Sequence, residues 1–216
     1  LCLRAERIDM VKRSTFGICQ LCQARVGKVA MGSHLRKCLQ SRADRQPAPA
    51  LIVRAEAPGA RMFWLDIAST LDAKLQGLDG LLRRIWLECC GHLSAFYGGE
   101  RTKVSMSRRL GEVLGAPGDC LGYEYDFGST TELVVSHVDL IDATVKGIRV
   151  VARNEAPMWA CEACGQPATK LCTQCSDGEG GFMCEPHAAK HRCGAEMLLP
   201  VVYSPRMGVC GYVGEA

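Results

Sequence analysis

Cys161 to Cys193 reads CEACGQPATKLCTQCSDGEGGFMCEPHAAKHRC, which places six cysteines and two histidines within thirty-three residues. The spacing is C-x2-C, seven residues, C-x2-C, eight residues, then C-x2-H-x3-H-x-C. Two residues between thiolates let both sulfurs reach one ion from a single turn, at about 2.3 Å each. Eight ligands are two tetrahedral zinc ions with none left over. Two pairings use all eight. The interleaved one joins Cys161, Cys164, Cys184 and His187 on one ion and Cys172, Cys175, His191 and Cys193 on the other. The sequential one joins Cys161, Cys164, Cys172 and Cys175, leaving Cys184, His187, His191 and Cys193 as the second set. With four protein ligands per ion no position remains for water, so either pairing predicts structural zinc.

The interleaved order resembles cross-braced modules such as B-box and AN1-type fingers, and that pairing is favoured. The intervening lengths fit neither family fully. A disulfide knot would need an oxidising compartment, and fourteen cysteines without a signal-peptide pattern point instead to a reducing cytosol, so the expected location is cytoplasmic. No apolar run reaches the roughly eighteen residues a membrane span needs. The formal charge of +3 counts cysteines as neutral. Three zinc ions on nine thiolates would bring the chain to about zero, and no global basic field draws it to nucleic acid.

Toward the N-terminus, Met10 reads as the natural start. Cys19-x2-Cys22, eleven residues, then His34-x3-Cys38 has the spacing of a C2HC zinc finger, assigned to residues 10–40. His34 and Cys38 at i and i+4 share one helix face, expected over Val29 to Cys38, and Met31 and Leu35 close a small core that depends on the metal. The positions that usually touch bases fall on Gly27, Ala30 and Ser33, none of them a good reader. Arg25, Lys28, Arg36 and Lys37 could still grip phosphates or form a solvated basic surface. Residues 41–51, polar and proline-bearing, are expected to be a linker.

Residues 52–156 carry an α+β pattern. Strands are expected at Arg61 to Ile67, His92 to Tyr97, Arg101 to Met106, Leu121 to Phe127, Glu132 to Val138 and Ile148 to Ala152. A helix is marked by Leu71, Leu75, Leu78, Leu82, Ile85 and Trp86, and a short one by Ser107 to Leu114. One or two helices on a mostly antiparallel sheet, with two small zinc-held modules, is the predicted architecture. Residues 157–198 form the two-zinc module. Residues 199–216, with Val201-Val202-Tyr203, could add a last strand to the central sheet.

Tyr123-Glu124-Tyr125-Asp126-Phe127-Gly128 followed by Glu132, with Ile85-Trp86-Leu87 and His92-Leu93-Ser94-Ala95-Phe96, resembles the plasmid pRiA4b ORF-3-like family over roughly Ile52 to Val151. Members commonly continue after D-F-G with an acidic residue and a tryptophan, where this chain has Ser129, Thr130 and Thr131. The resemblance implies an α+β fold and an association with plasmids and mobile elements, and no established reaction.

Two other groups could carry chemistry. Glu124, Asp126 and Glu132 could form a carboxylate cluster for a divalent cation, as in a hydrolase or nuclease, or could be turn and solvated residues, the reading preferred here. Cys89, Cys90 and His92 could hold a metal or furnish a Cys/His nucleophile pair, and core packing is preferred because free cysteine is among the most buried residue types. Cys120 and Cys210 are given no role, and His137 is read as a hydrogen-bonded core histidine. The functional expectation is a non-catalytic zinc-binding recognition or adaptor protein holding three Zn2+ ions. Its partner is a protein or nucleic acid, with no membrane and no small-molecule substrate identified.

Overall fold

The computed structural model describes residues 15–176 and 180–214; Met10, the expected start of the first finger, lies outside them. The chain divides into two units, Leu1–Leu81 with Leu93–Glu155, and Leu82–His92 with Ala156–Ala216.

The first unit is built on a nine-stranded antiparallel sheet. Its strands are β1 (Phe16–Cys19), β2 (Arg25–Gly27), β3 (Ala48–Glu56), β4 (Trp64–Thr70), β5 (Ser94–Tyr97), β6 (Lys103–Val104), β7 (Cys120–Tyr125), β8 (Thr131–Ala143) and β9 (Ile148–Asn154). The order across the sheet is β2-β1-β9-β4-β3-β8-β7-β5-β6. The helices are α1 (Lys28–Gln40), α2 (Leu75–Leu82) and the short α3 (Leu110–Val113). This is the expected α+β class. The single helix anticipated from Leu71 to Trp86 is α2, continued by a π-helical turn over Arg83–Leu87. Gly77 lies where a Cβ would come within 2.9 Å of Ile148 Cδ1, so the missing side chain lets α2 approach β9.

Two expectations about the N-terminal part are corrected. The stretch 41–51 is not a free linker: β3 starts at Ala48, and Ala50 to Val53 are buried between β4 and β8. An apolar run of alanine, leucine, isoleucine and valine wins over the prolines that precede it, because it fills a central strand position. Nor is the finger a separate module. Gly17 to Cys19 of β1 pair with Asn154 to Ala152 of β9. Met31, Leu35, Cys38 and Leu39 of α1 join one core with Ala50, Ile52, Trp64, Ala68, Ile141 and Val151. Gly17 makes this approach possible, since a Cβ there would lie 2.5 Å from the Arg153 carbonyl oxygen and 2.6 Å from Trp64 Cζ2.

On the same face, Arg54 stands directly opposite Asp66 across β3 and β4. Its guanidinium donates to both carboxylate oxygens at 2.6 and 2.8 Å and lies 4.9 Å from the Trp64 ring centroid. Asp66 is fully buried. Burial pushes its carboxyl upward, against the pull of Arg54.

The second unit holds a three-stranded sheet ordered β11-β10-β12, from β10 (Lys170–Cys172), β11 (Phe182–Met183) and β12 (Leu198–Pro200), with α4 (Glu185–Ala188). Its small core comprises Cys172, Met183 and Ala188 with Cys175, Cys193, Met197 and Leu198 against them. Here too the sequence reading is corrected. Leu198–Pro200, and not Val201-Val202-Tyr203, makes the last strand, and it pairs with β10 instead of the central sheet. Residues 82–92, assigned above to the central domain, belong to this second unit.

Candidate metal centres

The ligand candidates of the first finger converge. Cys19 closes β1, Cys22 lies in the hairpin, and His34 and Cys38 project from one face of α1. Cys19 Sγ and Cys38 Sγ are 3.9 Å apart, and Cys22 Sγ is 3.3 Å from His34 Nε2. A tetrahedral zinc with bonds of about 2.3 Å to sulfur and about 2.05 Å to nitrogen implies edges of about 3.7 Å between sulfurs and about 3.5 Å from sulfur to nitrogen. The observed edges match within a few tenths of an ångström and are far too long for disulfides, in which the sulfurs are about 2.05 Å apart. Arg42, within the stretch expected to be a linker, donates to Cys38 Sγ at 3.0 Å and to the carbonyls of Cys38 and Leu21. It thus ties the helix and the hairpin of the site together and supports the thiolate from outside the ligand set.

In the second unit the residues group in the interleaved pairing. Cys161, Cys164, Cys184 and His187 form one set, and Cys172, Cys175, His191 and Cys193 the other, the ligand atoms of each set lying within 4.8 Å of one another. Cys184 is the N-cap of α4 and His187 sits within its first turn, so it is His187 Nδ1, the nearer nitrogen, that faces Cys184 at 3.2 Å and Cys161 at 3.5 Å. Cys164 Sγ is 3.7 Å from Cys184 Sγ. In the other set Cys175 Sγ lies 3.5 Å from His191 Nε2 and 3.7 Å from Cys193 Sγ.

The two knuckles Cys19-x2-Cys22 and Cys161-x2-Cys164 share one backbone form. The residue after the second cysteine donates its N–H to the carbonyl of the first at 2.8 Å in both, and takes φ of 61° at Gln23 and 71° at Gly165. Such turns aim backbone N–H groups at the sulfurs. The N–H of Cys184, with those of Ala163 and Cys164, holds the Cys161 thiol down to about 6 against the effect of burial. One thiol in each of two other sets shifts the opposite way: Cys175 is pushed up to about 11, first by its hydrogen bond to Cys172, and Cys38 to about 11 by burial and by Cys22. Thiols packed this tightly cannot all ionise alone, and a dication removes the conflict.

A fourth group adds Cys210 to Cys89, Cys90 and His92, for which a metal was the less favoured expectation. Cys89, Cys90, His92 and Cys210 bring their ligand atoms within 4.8 Å of one another. The core reading of Cys89 and Cys90 is corrected, since Cys89 is only half-buried and Cys90 is exposed. The available signal was a C-C-x-H run one ligand short of a set, and a glycine-flanked cysteine near the end of the chain. Their separation in sequence hid the match. The four groups absorb twelve of the fourteen cysteines and four of the five histidines, and every one is Cys3His. His137 stands apart, its Nδ1 2.9 Å from the Leu114 carbonyl.

The carboxylates expected as an alternative centre have other work. Glu124 pairs with Arg101. Asp126 has φ of 66° and accepts the Gly128 N–H at 3.0 Å, an aspartate turn at the end of β7. Glu132 is exposed, opposite Glu124 on β8. Among the described residues, the three do not gather into a group fit to hold an ion.

The basic residues of the finger are also occupied. Arg25 pairs with Glu155 at 2.5 Å, Lys28 with Glu56 at 2.7 Å, and Arg36 with Asp139. Lys37 is exposed on α1.

No family model and no curated protein matches the chain. Among solved structures it is similar to a protein of unknown function, MM3350 from Methanosarcina mazei Go1, with 14% identity and a TM-score of 0.42 over 49% of this chain and 68% of that one. The pRiA4b ORF-3-like resemblance therefore stands on its sequence motif.

Proposed function

We propose that the chain is a non-catalytic, zinc-stabilised recognition protein that acts on a protein partner, in a reducing compartment where its thiols stay available to metal. The observation that carries this reading is the repeated Cys3His set: Cys19, Cys22, His34 and Cys38; Cys161, Cys164, Cys184 and His187; Cys172, Cys175, His191 and Cys193. Softness and tetrahedral spacing suit zinc, and four protein ligands leave no coordination position for a water or substrate. The ions then do structural work. The reading of Glu124, Asp126 and Glu132 as a hydrolase or nuclease centre has no comparable support, since two of the three are committed to an ion pair and a turn. The link to plasmids or mobile elements rests on the motif resemblance.

Between the two kinds of partner, charge favours protein. Three of the four cations that could grip phosphates are already neutralised by carboxylates of the same unit. A chain at +3 that ionises nine thiols onto three zinc ions falls to about zero. The test is a fluorescence titration of the zinc-loaded chain against short single- and double-stranded DNA and RNA at several salt concentrations. The expected result is no binding at low salt. Binding that weakens steeply with salt, with little sequence preference, would mean phosphate gripping and would overturn the choice of a protein partner.

A further inference from the structure

We propose that Cys89, Cys90, His92 and Cys210 form a fourth zinc site, a clasp between the bend at 88–92 and the C-terminal turns, and that it is the first of the four to release its ion. The proposal rests on the zinc reading of the other three sets and extends it to residues that no motif joins. The edges are those of a metal tetrahedron: Cys89 to Cys90 3.6 Å, Cys90 to Cys210 3.8 Å, and His92 Nε2 to Cys210 3.2 Å. The Cys90 to His92 edge, at 2.9 Å, is pinched by the single residue between them.

The surroundings are shaped to present these ligands. After the π-helical turn, Glu88 takes Arg83 at 2.6 Å with one carboxylate oxygen and the Gly91 N–H at 2.7 Å with the other, bending the chain so that adjacent cysteines converge. Gly91 has φ of 79°. On the other side of the clasp, Ser204 Oγ donates to the Trp86 carbonyl at 2.5 Å, and fully buried Arg206 directs its guanidinium to Cys89 Sγ at 3.6 Å. Arg206 thereby stands to Cys89 as Arg42 stands to Cys38. Cys210 itself sits at φ of 51°, costly for a residue with a side chain and sustained only where something else holds it. A metal–thiolate bond is such a hold.

Release order follows from exposure. Each of the other sets has at least one buried ligand, whereas here Cys90 and Cys210 are exposed and Cys89 and His92 half-buried. A chelator reaches this ion first. Its loss would leave 203–212 tied to the 82–92 segment only by hydrogen bonds and packing.

Native mass spectrometry of the full chain, purified with zinc under reducing conditions, tests this. The expected count is four zinc ions, falling to three in Cys210→Ser and in Cys90→Ser. With a limiting chelator, loss of the first ion should open Cys89, Cys90 and Cys210 to alkylation while the other nine ligand cysteines stay protected. Three ions in the wild type and in both variants would overturn the fourth site and leave the other three standing. A first loss that exposes other cysteines would overturn the release order. A wild-type chain with no zinc would overturn the fourth site together with the reading on which it rests. Should Cys210→Ser fail to fold, the wild-type count and the alkylation pattern still decide.

Discussion

Stripping zinc from the full chain should unfold the module around β10, β11, β12 and α4 while the nine-stranded sheet survives. Among the described residues, the buried apolar side chains of that module that are not ligands are Leu171, Met183 and Ala188. Structural zinc supplies on the order of 10–16 kcal/mol in modules of this kind, more than so small a core can replace. The first finger should respond differently. Its Met31, Leu35 and Leu39 are buried against Ile52, Trp64 and Val151, so α1 should keep much of its protection when its metal is lost. Amide hydrogen exchange read by mass spectrometry checks both halves: protection should vanish at 160–176 and 180–200 and persist in β3, β4 and β8. A narrower version uses His187→Ala. Because the ligand sets interleave, with Cys172 and Cys175 lying between Cys164 and Cys184, this one change should release two ions instead of one.

The second large effect is expected at Arg54. In Arg54→Met the carboxylate of Asp66 loses both of its donated hydrogen bonds from the guanidinium while remaining fully buried, and breaking a buried pair on one side costs about 3–5 kcal/mol. The loss should depend on pH in a definite direction. Burial raises the folded-state pKa of Asp66 above its unfolded value, and without Arg54 nothing nearby opposes this as strongly. Between the unfolded and the raised folded pKa the folded variant binds more proton than the unfolded chain, so its stability falls as pH rises through that window. Urea denaturation should therefore show the variant's deficit to be smaller at acidic pH than at neutral pH. A deficit that grows on acidification would contradict the assignment of the buried carboxylate as its cause.

Much of this was legible in the sequence because its signals are local. C-x2-C pairs and H-x3-C on a helix declare themselves, and the alternation in Leu121 to Tyr125 and Glu132 to Val138 marks strands β7 and β8. What was missed depends on distant partners. The finger looked self-sufficient because its four ligands are contiguous, yet Gly17 exists to let β1 lie against Trp64 and Arg153. Arg42 looked like a linker residue because its acceptors, Cys38 and Leu21, become neighbours only once the finger folds. Arg25, Lys28 and Arg36 looked like a basic surface because their partners are distant in sequence: Glu155 follows β9, Glu56 ends β3 and Asp139 lies in β8. Cys210 could be matched to Cys90 and His92 only in three dimensions.

Because all four groups have the same composition, one measurement addresses them together: X-ray absorption at the zinc edge of the purified chain. Closed Cys3His centres give a single average shell of three sulfurs at about 2.3 Å and one nitrogen at about 2.0–2.1 Å per ion, whatever the occupancy of each site. A shell rich in oxygen or nitrogen, or one with an open position filled by water, would contradict closed Cys3His centres and with them the structural role assigned to the metal.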